Sequence, residues 1–344
     1  MRYRELGRSG IKVSEIGFGC WTMGGPNWSS ATGQAIGWPE VDEAEVLAAI
    51  KVGLDAGVNH WDNADNYGNG RAERMLGACL RKLGVKREGL VIASKTGHFR
   101  GTAIHAFDPR HIRNQCEQSL RNLGVDHIDL YYFHHGSYVG QGYNARGEIV
   151  ADHDYLHEAA ATMHALRKEG KVRAIGQSAY SHDDFERAVP VLKPDALQTK
   201  ANLRFDEFIR QGSRTQAVME QYGCTLVAFG PLDQGILLGK FDPERPPSFE
   251  AGDSRRNRKD FDPATLRSVS EKLSRVRARF GISEDDAIPA LSSIASRWLL
   301  AHDRVCSAIP GFRNDRQARA NLRAMEDAPM SQGDAQWLRE LFRN

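Results

Sequence analysis

Eight short apolar runs, rich in β-branched and aromatic residues, recur along the chain and limit its fold more than any other feature. Segments with helical spacing and charged faces separate them, and glycine often follows the last helical turn. Strands that alternate with helices predict a parallel sheet, and eight is the number that closes a barrel. The runs span 14–20, 58–64, 90–95, 128–134, 172–178, 196–201, 225–230 and 305–311, and the glycines are Gly57, Gly84, Gly124 and Gly170.

No linker or change in composition divides the 344 residues. The sequence therefore predicts one domain over 1–344, an α/β protein with the (β/α)₈ TIM-barrel fold. Residues 2–13, before the first run, predict a small β-hairpin at the bottom of the barrel. Three connections, 21–42, 135–152 and 231–264, are too long for plain turns. All three follow strands, so we expect them on the C-terminal face, where barrel enzymes carry their active sites.

The charge balance argues against a nucleic-acid or membrane partner, because 46 basic residues face 44 acidic ones and the net charge is only +2. No apolar stretch approaches the roughly 18 residues of a membrane helix. The opening "MRYRELGRSG" also lacks the apolar core of a secretory signal. These features predict a cytoplasmic protein.

Cysteine and histidine spacing gives no sign of a disulfide framework or a metal site. The five cysteines are far apart in sequence and include no C-x-x-C pair, which is typical of reduced thiols. His98, His105 and His111, like the pair at 134–135, lack metal-ligand spacing. We therefore predict that the protein binds no metal.

Four polar side chains follow the ends of predicted strands. Asp62 and Lys95 end the second and third strands, His134 ends the fourth, and Tyr67 lies in the Gly/Asn-rich turn after Asp62. In a barrel these ends meet at one mouth. We expect Lys95 to lower the pKa of Tyr67 from about 10 and Asp62 to keep Lys95 charged.

His134 would hydrogen-bond a substrate oxygen, and such a tuned acid supplies about 10²–10⁴ in rate. The alternative is a structural Asp62–Lys95 ion pair with Tyr67 and His134 as ordinary rim residues. Four such groups at equivalent strand ends favour catalysis.

The same residues carry a resemblance to the aldo-keto reductase family. Its D-T-A-x-x-Y-G, strand-three lysine and D-L-Y-x-x-H motifs are matched here by "DNADNYG", "IASKTG" and "DLYYFH". The opening "LGRSGIKVSEIGFGCWTMGG" and the late "IPGFRNDRQARANL" are also similar to that family. The resemblance implies that Tyr67 is the acid/base, that Lys95 and Asp62 tune it, and that His134 orients a carbonyl.

The resemblance also implies a nicotinamide cofactor, NADP(H), extended across the barrel mouth. No G-x-G-x-x-G follows a strand, so a Rossmann site is not indicated. Ser178 and Gln198 match contacts to the nicotinamide amide, and Phe229 matches a residue that stacks on the nicotinamide. Arg255 matches a phosphate clamp. The implied cofactor-binding positions are Gly19, Trp21, Ser178, Gln198, Phe229, Gly230, Pro231, Leu232, Gln234, Gly235, Lys240, Arg255, Gly311, Arg313, Gln317 and Asn321.

Arg313, with Gln317, is the candidate for a 2′-phosphate, because a guanidinium suits that dianion. Three alanines depart from the family pattern: Ala179 replaces an Asn, Ala201 a Tyr and Ala320 a Glu. An Asn at 179 would restore a hydrogen bond if the space is open, and would clash if a neighbour fills it.

Trp21, Trp28 and Phe99 are candidate walls of an apolar substrate pocket, with loop packing as the alternative for Trp28. The predicted function is NADP-dependent reduction of an aldehyde or ketone, with a small-molecule carbonyl substrate, by a monomer or homo-oligomer. The alternative is a nucleotide-binding, partner-regulating protein that resembles potassium-channel β-subunits. Neither the substrate nor the physiological direction can be read from the sequence.

Overall fold

Eight parallel strands form the centre of the molecule in the computed structural model, which describes residues 1–29, 32–144 and 146–343. Residues 30, 31 and 145, within the predicted long connections, and residue 344 lie outside that description. The strands of the barrel are β3 (Phe18–Gly19), β4 (His60–Asp62), β5 (Val91–Thr96), β6 (Ile128–Phe133), β9 (Val172–Ser178), β10 (Ala196–Lys200), β11 (Thr225–Phe229) and β12 (Val305–Ile309).

Their order follows the chain, β3-β4-β5-β6-β9-β10-β11-β12. Parallel bridges Ile16↔Ala308 and Gly19↔Gly311 join the last strand to the first and nearly close the ring. The predicted barrel is thus confirmed, and the ends of all eight strands meet at one mouth.

Ten helices surround the described part of the barrel. They are α1 (Glu43–Asp55), α2 (Arg71–Lys82), α3 (Pro109–Leu123), α4 (Leu156–Lys168), α5 (His182–Leu192), α6 (Arg214–Tyr222), α7 (Pro263–Phe280), α8 (Ala287–Leu300), α9 (Asp315–Glu326) and α10 (Gln332–Arg343). Helix α3 shows the local rules: Asp108 accepts hydrogen bonds from two backbone N–H groups at its start, and Pro109 occupies the first turn. Gly124 ends it in the left-handed conformation, with φ 69°.

A two-stranded hairpin plugs the bottom of the barrel, as the sequence predicted. Strands β1 (Tyr3–Glu5) and β2 (Lys12–Ser14) pair antiparallel. Leu6, Ile11 and Val13 join the apolar cluster inside the barrel. Glu15 holds this end by accepting from Arg2 Nε at 2.8 Å and Arg4 Nε at 2.7 Å. Because the apolar interior fills the bottom, polar chemistry is left to the mouth.

The connection after β6 contains a second hairpin that the sequence did not predict. Strands β7 (Val139–Tyr143) and β8 (Ile149–Asp154) pair antiparallel on the C-terminal side of the barrel. Most of their residues are exposed or only partly buried, so this ribbon lacks the apolar alternation that identifies a half-buried strand.

Within residues 1–29, 32–144 and 146–343, no helix has both the length and the hydropathy needed to span a membrane.

Candidate active site

Lys95 is the centre of the polar group at the mouth. It is fully buried, and its Nζ donates to Asp62 Oδ2 at 2.6 Å, to the Asn63 carbonyl at 2.7 Å and to Tyr67 Oη at 3.2 Å. The three protons of the ammonium are therefore all directed to oxygen atoms. Strands β4 and β5 are neighbours in the barrel, which places Asp62 and Lys95 together although 33 positions separate them.

Gln198 on β10 completes the setting of Asp62. Its Nε2 donates to Asp62 Oδ1 at 2.8 Å, so each carboxylate oxygen has a donor. The sequence assigned Gln198 only to the cofactor, because a motif does not show a contact across the interior of the barrel. This second contact fixes the carboxylate in one orientation.

His134 lies beside the phenol of Tyr67, with ring centroids 5.9 Å apart. Its Nδ1 is buried without a hydrogen-bond partner in the described part of the chain. Burial, followed by the nearby positive charges of His98 and Lys95, lowers the pKa of His134 well below its usual 6.5. The ring is neutral at pH 7, so it can accept or donate a hydrogen bond.

The acidity of Tyr67 differs from the sequence-based prediction. Burial raises the pKa of this phenol well above 10, and the negative charge of Asp62 adds to the effect. Lys95 was expected to lower the pKa, but the net shift is upward, because the loss of phenolate hydration outweighs a single ammonium group whose charge Asp62 already balances. Tyr67 is therefore a protonated donor at neutral pH rather than a phenolate.

Aromatic side chains border this polar group. The Trp21 ring lies 6.2 Å from the Tyr67 ring and packs edge-on against Trp38 at 5.4 Å. On the other side, Tyr180 lies 6.1 Å from Phe229 and is 55% exposed. Tyr180 follows Ala179 directly and was not predicted, since a lone exposed tyrosine carries no sequence signal.

Of the three predicted pocket walls, only Trp21 has a ring contact with the polar group around Lys95. Phe99 stacks on His111 at 6.5 Å, and a side chain at Gly252 would meet the Trp28 ring. His98, one position before Phe99, is the residue that packs against His134, at 4.4 Å. The structure thus places an exposed imidazole beside His134.

Ser178 and Ala179 stand at the end of β9, and both are buried. Ala179 belongs to the apolar layer between the sheet and the helices, and its carbonyl accepts from Thr199 Oγ1 at 2.8 Å. Of the two outcomes considered for an Asn at 179, this packing favours the clash. Ala201 is buried in the same layer.

The loop that starts at Gly230 has an unusual backbone. Gly230, Asp233, Gln234 and Gly235 all have positive φ values, of 66°, 44°, 56° and 96°. The chain then turns through Leu238 to Lys240, whose Cε would lie 2.7 Å from a Cβ at Gly235. The predicted positions Gly230, Pro231, Leu232, Gln234, Gly235 and Lys240 therefore form one tight loop beside β11.

Four cations gather at the end of this loop, and Lys240 is one of them. Loss of hydration lowers the pKa of Lys240, and so does the positive charge of Arg255, Arg313 and Arg316. The Arg255 guanidinium lies between the Trp38 and Phe249 rings, at 4.7 and 4.4 Å, and Nε and Nη2 are bound to Asp253. Arg255 is thus largely neutralised, whereas neither Lys240 nor Arg313 forms an ion pair in the part of the chain that is described.

Gln317 and Asn321 support the turn that carries Arg313. Gln317 Oε1 accepts from the Arg313 backbone N–H at 2.9 Å, and Asn321 Nδ2 donates to the Gly311 carbonyl at 3.1 Å. Gly19 lies alongside, paired with Gly311 across the closure of the barrel. The Gln317 and Asn321 side chains thus hold the Gly311–Arg313 turn through contacts within the protein itself.

Metal chemistry has no cluster of ligands here: no three His, Cys, Asp or Glu residues within 1–29, 32–144 and 146–343 are placed to hold an ion. All five cysteines are buried and unpaired.

A parallel barrel that gathers Asp62, Tyr67, Lys95 and His134 at its C-terminal mouth has the architecture of barrel enzymes, whose sites lie at that face. The chain matches the aldo/keto reductase family over residues 15–342. It belongs to that family, and it is an oxidoreductase of a family that binds nicotinamide cofactors.

Individual relatives have both enzymatic and channel-related names. The chain is 26% identical over 333 residues to a probable voltage-gated potassium channel subunit beta from Arabidopsis thaliana, covering 96% of this chain and 93% of the relative. It is 26% identical over 357 residues to the NADH-specific methylglyoxal reductase of Escherichia coli, covering 99% and 98%. An aldo-keto reductase from Bacillus halodurans, solved in its holo form, has the same fold, with a TM-score of 0.71, 22% identity and coverage of 99% and 96%.

Proposed function

We propose that this protein is an NADPH-dependent reductase of a small aldehyde or ketone, with Tyr67 as the proton donor. The observation that carries the proposal is the three-way contact of the Lys95 ammonium with Asp62, Asn63 and Tyr67. A purely structural ion pair does not require the third N–H of the lysine to point at a phenol. Here the phenol lies at the mouth, next to a neutral histidine with an unused nitrogen.

The residues present fit a nicotinamide dinucleotide. Ser178 ends β9 and Phe229 ends β11, on either side of β10, so both can serve one end of such a molecule, and Lys240, Arg313 and Arg316 offer cations for the other. When bound, this cofactor supplies a hydride to the carbonyl carbon. Trp21 and Trp38 on one side of the mouth, and Phe229 on the other, would shield the bound nicotinamide end from water.

The protein's part in the reaction is to bind and protonate the substrate oxygen. His134, neutral at pH 7, holds the oxygen by a hydrogen bond, and the Tyr67 hydroxyl gives it a proton as negative charge develops there. The Lys95 ammonium, 3.2 Å from the Tyr67 oxygen, stabilises the phenolate that results. Asp62 and Gln198 keep the ammonium in place.

The preference for NADPH over NADH rests on the cations. A 2′-phosphate is a dianion, and the Arg313 guanidinium forms no ion pair among the described residues, although the carboxylates of Asp253, Glu250 and Glu45 are near enough to act on its charge. The relative named as NADH-specific shows that this family includes proteins with the other preference. Cofactor choice is therefore a separate claim from the reaction type and needs its own test.

The test of the reaction is NADPH oxidation with a panel of small aldehydes and ketones. Tyr67→Phe should reduce kcat by about 10²–10⁴ and leave the NADPH Kd unchanged, because the variant removes only the proton donor. Tyr143→Phe, at a 46% exposed tyrosine of the β7–β8 hairpin, is the matched control and should keep full activity.

A near-normal kcat in Tyr67→Phe would remove this tyrosine from the mechanism. Tight NADPH binding without turnover of any carbonyl would instead favour a nucleotide-binding, partner-regulating role.

A further inference from the structure

We propose that Asp233 is a positioning residue that holds the cofactor loop in its binding shape before any cofactor arrives. We define the cofactor loop as residues 230–261, and the proposal rests on the proposed function of this loop in binding NADPH. Asp233 is fully buried, and it matches none of the positions for which the family resemblance implies a cofactor contact.

Three cations from three segments meet at this one carboxylate. Lys200 Nζ, at the end of β10, lies 2.9 Å from Oδ1, and Arg204 Nη1 lies 2.5 Å from Oδ2. Arg258 Nη2, from the far end of the cofactor loop, lies 3.5 Å from Oδ1. Asp233 therefore ties the beginning of the loop both to the barrel and to the end of the same loop.

Neighbouring contacts strengthen the attachment to the barrel. The Asn202 amide donates to the Gly230 carbonyl at 2.8 Å, which fixes the first residue of the loop. Lys200 Nζ also lies 3.5 Å from the centre of the Phe205 ring, so its position is fixed from a second side. Asp260 pairs with both Arg204 and Arg258, which leaves three cations against two carboxylates.

The backbone shows why such an attachment is needed. Only four non-glycine residues in the described part of the chain have positive φ, and two of them, Asp233 and Gln234, are consecutive. L-residues avoid this conformation unless their surroundings hold them in it. The ion pairs of Asp233 supply that hold at the point where the loop turns toward Lys240. Without them, the loop would relax to other conformations and lose its binding shape.

The single net positive charge of the cluster makes the opposite outcome worth testing. If the cluster served only as an attractive field for phosphate, removal of the Asp233 charge would strengthen NADPH binding. If Asp233 positions the loop, its removal should weaken binding, mainly through faster release, because the bound conformation is no longer pre-formed.

The experiment compares Asp233→Asn with Asp242→Asn. Asp242 is an exposed aspartate of the same loop whose partner is Arg245, at 3.1 Å, so the control removes the same charge without touching the barrel. NADPH affinity and release rate are measured by stopped-flow fluorescence. Asp233→Asn should raise the NADPH Kd by about tenfold or more, and Asp242→Asn should leave it unchanged. At saturating NADPH, kcat should fall by less than about threefold, because the catalytic group is untouched.

Arg258→Gln gives a second variant if Asp233→Asn folds poorly, since it cuts only the tie between the two ends of the loop. It should weaken NADPH binding by a smaller factor while Lys200 and Arg204 remain on Asp233. Tighter or unchanged binding in Asp233→Asn would overturn the proposal, as would equal effects of Asp233→Asn and Asp242→Asn. Wild-type protein that neither binds nor oxidises NADPH would instead overturn the proposed function, so the two failures can be told apart.

Discussion

Two buried carboxylates at the barrel mouth, Asp62 at the end of β4 and Asp233 after β11, have different surroundings. Both are almost fully buried, and each meets a lysine from the end of a barrel strand, Lys95 from β5 and Lys200 from β10. Asp62 meets this one cation and an amide. Asp233 meets three cations.

The two ion pairs differ in the second contact that each lysine makes. The Lys95 ammonium donates one hydrogen bond to Asp62 and another to the phenol of Tyr67. The Asp62–Lys95 pair is therefore linked to the proposed proton donor. Lys200 is held between Asp233 and the Phe205 ring, and its partner sits on a loop with strained backbone. If both proposals hold, the same type of ion pair serves proton transfer at a strand end and backbone shape on a loop.

The largest expected difference is in stability, between Lys95→Met and Lys200→Met. Lys95→Met leaves the buried Asp62 carboxylate without its cation and should lower the free energy of unfolding by about 3–5 kcal/mol. Lys200→Met should lower it by only about 1 kcal/mol, because two arginines remain on Asp233. Urea denaturation of both variants checks this. Equal losses would show that the two carboxylates depend on their lysines to the same degree.

Arg313→Ala should affect cofactor binding alone. It should raise the NADPH Kd by about tenfold or more, with little change for NADH, because a charged hydrogen bond to phosphate is lost. Arg319→Ala, at an exposed arginine of α9 that pairs with Asp315, is the control. Fluorescence titration measures the Kd of both cofactors. An equal loss of affinity for NADPH and NADH would show that Arg313 does not contact the 2′-phosphate.

Ala179→Asn should weaken the protein rather than tighten cofactor binding. Ala179 has no exposed surface and packs in an apolar layer, so the larger polar side chain should cost about 1–3 kcal/mol of unfolding free energy. Ala320→Asn, at a partly exposed alanine of α9, should cost much less. Thermal unfolding with and without NADPH measures both. Tighter NADPH binding in Ala179→Asn would mean that the side chain reaches the mouth after all.

The smallest expected effect is that of pH on carbonyl reduction between pH 6 and 8. The pKa of Tyr67 is raised above 10, so the phenol stays protonated, and the pKa of His134 lies well below 6.5, so the imidazole stays neutral. The reactive form is constant over this range, and kcat/KM should change by less than about twofold. An inflection near pH 6.5 would show that His134 titrates normally. One near pH 8 would show that Lys95 does lower the pKa of Tyr67.

The catalytic side of the comparison was largely readable from the sequence. Asp62 and Lys95 end apolar strands, and the geometry of a parallel barrel brings such ends together whatever their separation along the chain. Tyr67 was marked by its turn, which needs glycine and asparagine but not a phenol. The degree of burial could not be read in the same way, and therefore the direction of the Tyr67 pKa was missed.

The loop side was far less readable. Asp233, Lys200 and Arg258 lie in separate stretches whose charges look solvated in the sequence, and only the folded loop brings them together. Arg255 matched a phosphate clamp, yet the structure stacks it between two aromatic rings and gives it an aspartate. That His98, rather than its neighbour Phe99, packs against His134 depends on which way one loop residue faces. Sequence patterns fix strand ends, whereas loop contacts depend on tertiary packing.

The most direct test is a single turnover at saturating NADPH, following cofactor absorbance after mixing with the best carbonyl substrate. Tyr67→Phe and Asp233→Asn are compared with the wild-type protein. The account predicts that the rate falls by about 10²–10⁴ in Tyr67→Phe, where the proton donor is gone, and by less than about threefold in Asp233→Asn, where only the loop is released. A fall of the same size in both variants, or in neither, would contradict the division of the mouth into a proton-transfer side and a cofactor-holding side.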